Sequence, residues 1–269
     1  MADYFMKFSQ ITDIHLGGDY NGAFNTKDNF LRLLEAACDD KKYLIITGDL
    51  ANSDFEQNYH FIKNEVENRF GQRYAVLPGN HDDVQCLRDV FAGHVDSFYY
   101  DGVAVSLVPT IWNPESGKDA GVGYLDPSFK SEMMLSNSLV FTHYPVIDTM
   151  HKFMNKHALN RKDKETIIQM MKDSDSSMLF CGHFHDCVQT EFLTRLSDTY
   201  DMQSGVSEYR TECLTQYICP ASQCQIDRKA ESFVCTSKEP NGFNITVRGN
   251  PGEKIDRFSV SVTRFFLTK

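Results

Sequence analysis

The sequence predicts an α/β fold in which a mostly parallel sheet is covered by helices. Short apolar runs at Phe5–Ile11, Tyr43–Ile46 and 73–77 alternate with segments whose apolar residues recur at helical spacing. Each of these runs also ends in polar residues of metal-ligating or catalytic type: Thr12-Asp13-Ile14-His15, Thr47-Gly48-Asp49 and Gly79-Asn80-His81-Asp82. In parallel α/β sheets such residues collect at the carboxyl ends of the strands.

In chain order, Phe5–Ile11 reads as a strand. Asp13 and His15, two apart at its end, would share one face if the chain stayed extended. Thr26 opens a helix with Phe30, Leu33, Leu34 and Ala37 on one side. Tyr43–Ile46 is a buried strand, and Ser53-x-x-Glu56 is a capping-box pattern opening a helix that carries Tyr59, Ile62 and Val66. After strand 73–77, residues 84–92 read as a third helix. Segments 97–100 and 103–108 read as a hairpin turning at Asp101-Gly102. Pro109–Tyr124 is a long polar loop containing the sole tryptophan, Trp112. Leu139–Phe141 is a strand ending in His143-Tyr144-Pro145, and 146–162 is irregular. Lys164–Asp173 is helical, with Met170 and Met171 in its core face, and Met178–Cys181 is a strand ending in Gly182-His183-Phe184-His185. The final stretch of about 80 residues alternates short β-like runs with turns. It is expected to supply most of a second sheet, with edge strands near 242–247 and 257–266. No repeat or linker divides the chain, so 1–269 reads as one domain.

Composition excludes several classes. The hydrophobic fraction of 41% and charged fraction of 24% are those of an ordinary globular protein. No apolar run reaches the roughly 18–20 residues of a membrane helix. The start, Met-Ala-Asp-Tyr-Phe, lacks the basic stretch and apolar core of a secretory signal, so a cytoplasmic location and no membrane partner are expected. A net charge of −10 argues against a nucleic-acid polymer as partner, but not against a small phosphate ester bound through cations. The eight cysteines form no C-x-x-C pair and read as core residues or free thiols.

Five strand ends therefore carry ligand-type residues: Asp13 with His15, Asp49, Asn80 with His81, His143, and His183 with His185. A lone histidine or aspartate at a strand end is ordinarily a turn or cap residue, but five at one topological address call for a shared purpose. Imidazole and carboxylate donors without thiolates suit Mn, Fe or Zn, and two such ions clamp a phosphoryl group and acidify a water between them.

Asp-x-His, Gly-Asp, Gly-Asn-His-Asp, His-x-Pro and Gly-His-x-His in this order resemble the calcineurin-like metallophosphoesterases, over about residues 8–185. The segments His157-x-Leu159-Asn160 and Cys219-Pro220-Ala221-Ser222-Gln223-Cys224-Gln225 are similar to those of the branch holding class III cyclic nucleotide phosphodiesterases and glycerophosphodiesterases. The resemblance implies a four-layer α/β/β/α sandwich of two packed mixed sheets flanked by helices, with residues 186–269 completing the sheets. It implies two metal ions: Asp13, His15 and His185 on the first, Asn80, His143 and His183 on the second, and Asp49 bridging both. A bridging hydroxide would attack a small phosphodiester such as 3′,5′-cAMP. His81 would assist the leaving oxygen as a non-ligand, Asn80 would also touch the phosphate, and Asp82 would orient a neighbouring group. The chain departs from that branch at His143-Tyr144-Pro145, where the branch often shows two histidines before the proline. It also lacks an Asp-Ser near Val108–Trp112, and its Tyr124–Asn137 stretch is short. The alternatives are a glycerophosphodiester or nucleoside-diphosphate-linked substrate, or a non-catalytic scaffold of the same fold. A homodimer is compatible with the sequence. Trp112 and the Met150–Met154 region read either as loop or dimer anchors or as surfaces for a substrate base.

Overall fold

The structure, a computed structural model, describes residues 5–18, 25–39, 41–112, 122–149, 152–201, 206–222, 225–226, 235–237, 241–249 and 259–266. Within these, only the backbone is described at 192–201, 206–213, 225–226, 235–237 and 266.

Strands β1 (Phe5–Ile11), β2 (Lys42–Thr47) and β3 (Tyr74–Leu77) run parallel. Helices α1 (Thr26–Ala37) and α2 (Phe55–Phe70) connect them, and α3 (Val84–Val90) follows. The hairpin β4 (Phe98–Tyr100) and β5 (Val103–Leu107) pairs Tyr100 with Val103, and Asp101 and Gly102 turn it at φ of 53° and 83°. Positive φ at both turn residues matches the right-handed strand twist. β6 (Thr110–Trp112) and β7 (Gly123–Leu125) form a separate two-stranded ribbon, so the predicted 109–124 loop has paired strands at both ends. β8 (Ser138–Phe141) and β9 (Met178–Cys181) flank α4 (Lys152–Asn155) and α5 (Arg161–Asp173). Then come β10 (Val188–Asp201), β11 (Val206–Ile218), β12 (Gln225–Ile226), β13 (Cys235–Ser237), β14 (Asn241–Arg248) and β15 (Ser259–Phe266).

The first large sheet has the order β15-β14-β1-β2-β3 and the second β10-β11-β9-β8-β5-β4. Strand alternation sorts side chains into layers. Leu44, Ile46, Tyr74 and Val76 face outward onto Phe30, Leu33, Tyr59 and Ile62 of α1 and α2. Ile45, Ala75 and Leu77 face inward and meet Val105, Leu139, Phe141 and Phe180 of the second sheet. Val140 and Leu179 face the other way, onto Ile167 and Met171 of α5. The result is the expected α/β/β/α sandwich of two mixed sheets. Each fully buried Leu, Ile or Phe contributes roughly 1.5–3 kcal/mol, so these three interfaces hold the layers together.

The C-terminal region is divided differently from the expectation. Four of the second sheet's six strands, β4, β5, β8 and β9, come from before residue 186, and the long strands β10 and β11 extend it at one side. β14 and β15 instead close the first sheet, β14 pairing antiparallel with β1 from Phe5↔Arg248 to Gln10↔Phe243. β1 is buried on both faces, so an unpaired edge would leave its backbone polar groups without partners. β14 satisfies them while placing Phe243, Ile245 and Val247 between the sheets. The capping box at Ser53 is also absent. Asp54, at φ 45°, precedes α2 without a side-chain cap bond, and the Ser53 hydroxyl donates to the Gly17 carbonyl. Cys38, Cys86, Cys181, Cys187 and Cys219 are free thiols, two of them buried; the side chains of the other cysteines lie outside the described residues.

Candidate metal centre

The carboxyl ends of β1, β2 and β3 from one sheet and of β8 and β9 from the other converge at one rim. The chain leaves β1 at Ile11 and turns sharply. Asp13 and His15 have φ of 54° and 51°, and His183 and His185 after β9 have φ of 67° and 50°. Their side chains therefore converge through left-handed corners and not through the extended i, i+2 relation expected from sequence. In each corner the middle residue, Ile14 or Phe184, is buried in the core and anchors the turn. Asp49 is left-handed as well, at φ 55°. Five of the seven candidate ligands thus hold a conformation that costs a non-glycine residue roughly 1–2 kcal/mol.

Three glycines let the corners approach: a Cβ on Gly182 would overlap the Thr12 hydroxyl beside Asp13. A Cβ on Gly48, itself at φ 91°, would overlap the His143 imidazole. One on Gly79 would overlap the Asp49 carboxylate and backbone nitrogen, so the missing side chain at Gly79 is what lets Asp49 take its place.

In the first half of the site, His185 Nε2 lies 3.2 Å and His15 Nε2 3.9 Å from Asp13 Oδ1. The two Nε2 atoms are 3.3 Å apart. In the second half, His143 Nε2 lies 3.0 Å from Asn80 Oδ1, and the donor atoms of Asp49, His143 and His183 fall within 4.8 Å of one another. Asp49 stands between them, with Oδ2 3.5 Å from His15 Nε2 and Oδ1 3.5 Å from His143 Nε2. All seven predicted ligands meet here.

The ring nitrogens facing away from this centre are held by fixed acceptors. His15 Nδ1 lies 2.8 Å from Asn52 Oδ1, His143 Nδ1 2.8 Å from the Thr47 carbonyl, and His183 Nε2 2.8 Å from the His157 carbonyl. Donation to these oxygens directs the opposite nitrogen's lone pair into the centre, as metal-binding histidines require. Asp13 Oδ2 accepts the His183 N–H at 3.1 Å, whereas Asp13 Oδ1 is buried without a hydrogen bond. Two buried carboxylates and an unsatisfied oxygen facing imidazole nitrogens fit a pair of cations, because uncompensated buried charge is costly. Burial is the main force holding His15 down to about 4, with His185 and His81 adding to it against Asp49 and Asp13. Burial, then His143, holds His183 down to about 3. For Asp13 and Asp49, burial pushes upward, but the surrounding imidazoles outweigh it and keep both carboxyls below their usual range. Neutral imidazole with ionised carboxylate is the metal-binding form.

His81 is exposed, with its ring 4.8 Å from and edge-on to that of His15, and its backbone N–H donates to Asp49 Oδ1 at 2.9 Å. Asp82 binds loops together. Its Oδ1 accepts from Leu50 N, Ala51 N and Tyr59 Oη at 2.9, 3.2 and 3.0 Å, and its Oδ2 accepts from Gly79 N at 2.8 Å. Burial, then the Asp49 charge, raises Asp82 to about 7 against these donors.

The structure gives roles to several supporting residues: Asn52 and Gln216, which the sequence reading does not single out, and Ser222 and Asn160, which it names only as parts of the 219–225 and 157–160 segments. Asn52 could have been found, three residues after Asp49. Ser222 donates both N–H and Oγ–H to the Thr12 carbonyl, at 2.9 and 2.6 Å. Gln216 Oε1 accepts from Val146 N and Ile147 N, both at 2.8 Å, and its Nε2 donates to the Ile147 carbonyl at 2.9 Å. Asn160 accepts from Asp163 N and so caps α5. Together with the His157 carbonyl, this gives the 157–160 motif a supporting role.

A family model for calcineurin-like phosphoesterases matches residues 6–187, and the chain belongs to that family. It is a metal-dependent phosphoester hydrolase. It is 26% identical, over 87% of both chains, to a protein of Colwellia psychrerythraea named "probable cyclic nucleotide phosphodiesterase". Among solved structures, a purple acid phosphatase from yellow lupin (Lupinus luteus) seeds superposes with a TM-score of 0.56 at 8% identity, covering 97% of this chain and 53% of that one. A dimetal phosphatase from Danio rerio aligns over 95% of this chain and 98% of that one, at 12% identity and a TM-score of 0.48. Among the described residues, no helix is long and apolar enough to cross a membrane.

Proposed function

We propose that this chain hydrolyses a small phosphodiester, most naturally a cyclic nucleotide such as 3′,5′-cAMP. Asp13, His15 and His185 would hold one metal ion, Asn80, His143 and His183 a second, and Asp49 both. The observation that carries the reading is the division of Asp49, one oxygen 3.5 Å from His15 Nε2 and the other 3.5 Å from His143 Nε2. The nitrogen and oxygen donor set suits Mn, Fe or Zn. When bound, such ions supply an acidified water and neutralise phosphate charge.

The chain's own residues do the remainder. The carbonyls of Thr47 and His157 and the amide of Asn52 fix the tautomer and the aim of three imidazoles. Asp82 holds the loops after β2 and β3 at a fixed separation. His81, exposed at the rim, can donate a proton to the leaving oxygen. The name of the Colwellia relative supports the cyclic-nucleotide reading. A manganese-supplemented panel of 3′,5′- and 2′,3′-cyclic nucleotides, glycerophosphodiesters and monoesters tests it. Turnover of a cyclic nucleotide above all monoesters is expected. Preference for a monoester would overturn the diester reading, and turnover of glycerophosphodiesters alone would move the substrate.

A further inference from the structure

We propose that Trp112 is a specificity-determining residue: the wall of a subsite that takes a planar nucleobase carried by the phosphoester. The inference rests on the small-diester reading of the same centre. In the β6–β7 ribbon, Trp112 stands opposite Gly123. Thr110 and Trp112, two apart on a strand, project to the same face. That face looks onto the metal-site loop, because the Thr110 hydroxyl is buried there and accepts from His143 N at 3.3 Å and Tyr144 N at 3.1 Å. Opposite Trp112, Gly123 lies directly on the Tyr144 ring: a Cβ there would come within 2.6 Å of the ring atoms. The Tyr144 ring in turn sits 4.3 Å from that of His183 and 5.3 Å from that of His143.

Trp112 is thus one cross-strand pair and one aromatic ring away from the second half of the metal centre. It stays 41% exposed although it is large and apolar. A nucleoside phosphate holds its base about one sugar's width from phosphorus, so a phosphate at the centre would bring its base to this rim. An indole face stacks on any base, worth roughly 5- to 150-fold in binding.

The chain has one tryptophan, so tryptophan fluorescence reports residue 112 alone. Titrating the zinc-supplemented protein with AMP should give saturable quenching, and ribose 5-phosphate should give none. Equal quenching by both, or by neither, would overturn the proposal. Trp112→Ala should raise KM for the cyclic nucleotide roughly 5- to 150-fold with kcat within about twofold, and Trp112→Phe should retain most of the wild-type KM. Lower stability of Trp112→Ala at unchanged KM would instead make Trp112 a cross-strand cover for Gly123, and the proposal would fall. Should Trp112→Ala not fold, the quenching and Trp112→Phe decide. AMP quenching with a preference for monoesters would keep the subsite and remove the diester reading; diester turnover without quenching would do the reverse.

Discussion

Asp13, His15 and His185 form one half of the site and Asn80, His143 and His183 the other, and the first has a carboxylate of its own where the second has a neutral amide. Their support differs too. In the first half, Ser222 pins the Thr12 carbonyl beside Asp13, and the side-chain amide of Asn52 holds His15. In the second, backbone carbonyls of Thr47 and His157 hold the rings, and Gln216 secures the loop after His143. The contrast teaches that one rim can present cations with two different fields. The first half should hold its ion more tightly, and the second should exchange more readily.

The largest expected effect removes the comparison altogether. Asp49→Ala should abolish turnover and bring metal content below about one ion per chain by elemental analysis; near-wild-type turnover would refute a shared carboxylate. His81→Ala should lower kcat by about 10²- to 10⁴-fold with metal content kept, and loss of metal would make His81 a ligand. The asymmetry itself is tested by chelator competition. Asp13→Ala should weaken the tighter site on the order of 10³-fold, and Asn80→Ala the looser site by about tenfold; equal losses would erase the distinction.

Smaller effects should separate the supports. Ser222→Ala should weaken only the tighter site and Gln216→Leu only the looser one, each by roughly tenfold, with Ser222→Thr restoring the first. Indiscriminate loss in either variant would mean that it acts on the fold as a whole. Acid should act on the metal-free protein. His15 and His183 are held to about 4 and about 3 against 6.5, so the unfolded chain takes up their protons first. Stability is therefore full above about pH 6.5 and lost as pH falls toward 4, by roughly 1.4 kcal/mol per unit for each histidine. Denaturant titrations of chelated protein at pH 7 and pH 5 should differ accordingly.

The strand ends and their ligand types were readable because carboxylate, amide and imidazole are side-chain identities. So were the Asp101-Gly102 hairpin and the buried faces of α1, α2 and α5. The partners that aim His143 and His183 were not, because a backbone carbonyl has no letter in the sequence. The left-handed backbone at Asp13, His15, Asp49, His183 and His185 was hidden for a related reason: nothing in Asp or His demands it, and only the converging loops impose it. The partition of the C-terminal strands depended on which buried edge lacked a partner, and that is a property of the assembled sheets.

Those five left-handed ligands have a consequence for selection. Each is held against its own backbone preference by the converging loops, so glycine or a loop that relaxes to negative φ would relieve strain in the metal-free chain. Heat resistance and activity would then pull the sequence in opposite directions. A library ranked by melting temperature in chelator would discard the ligands first, and its sturdiest survivors would be silent enzymes.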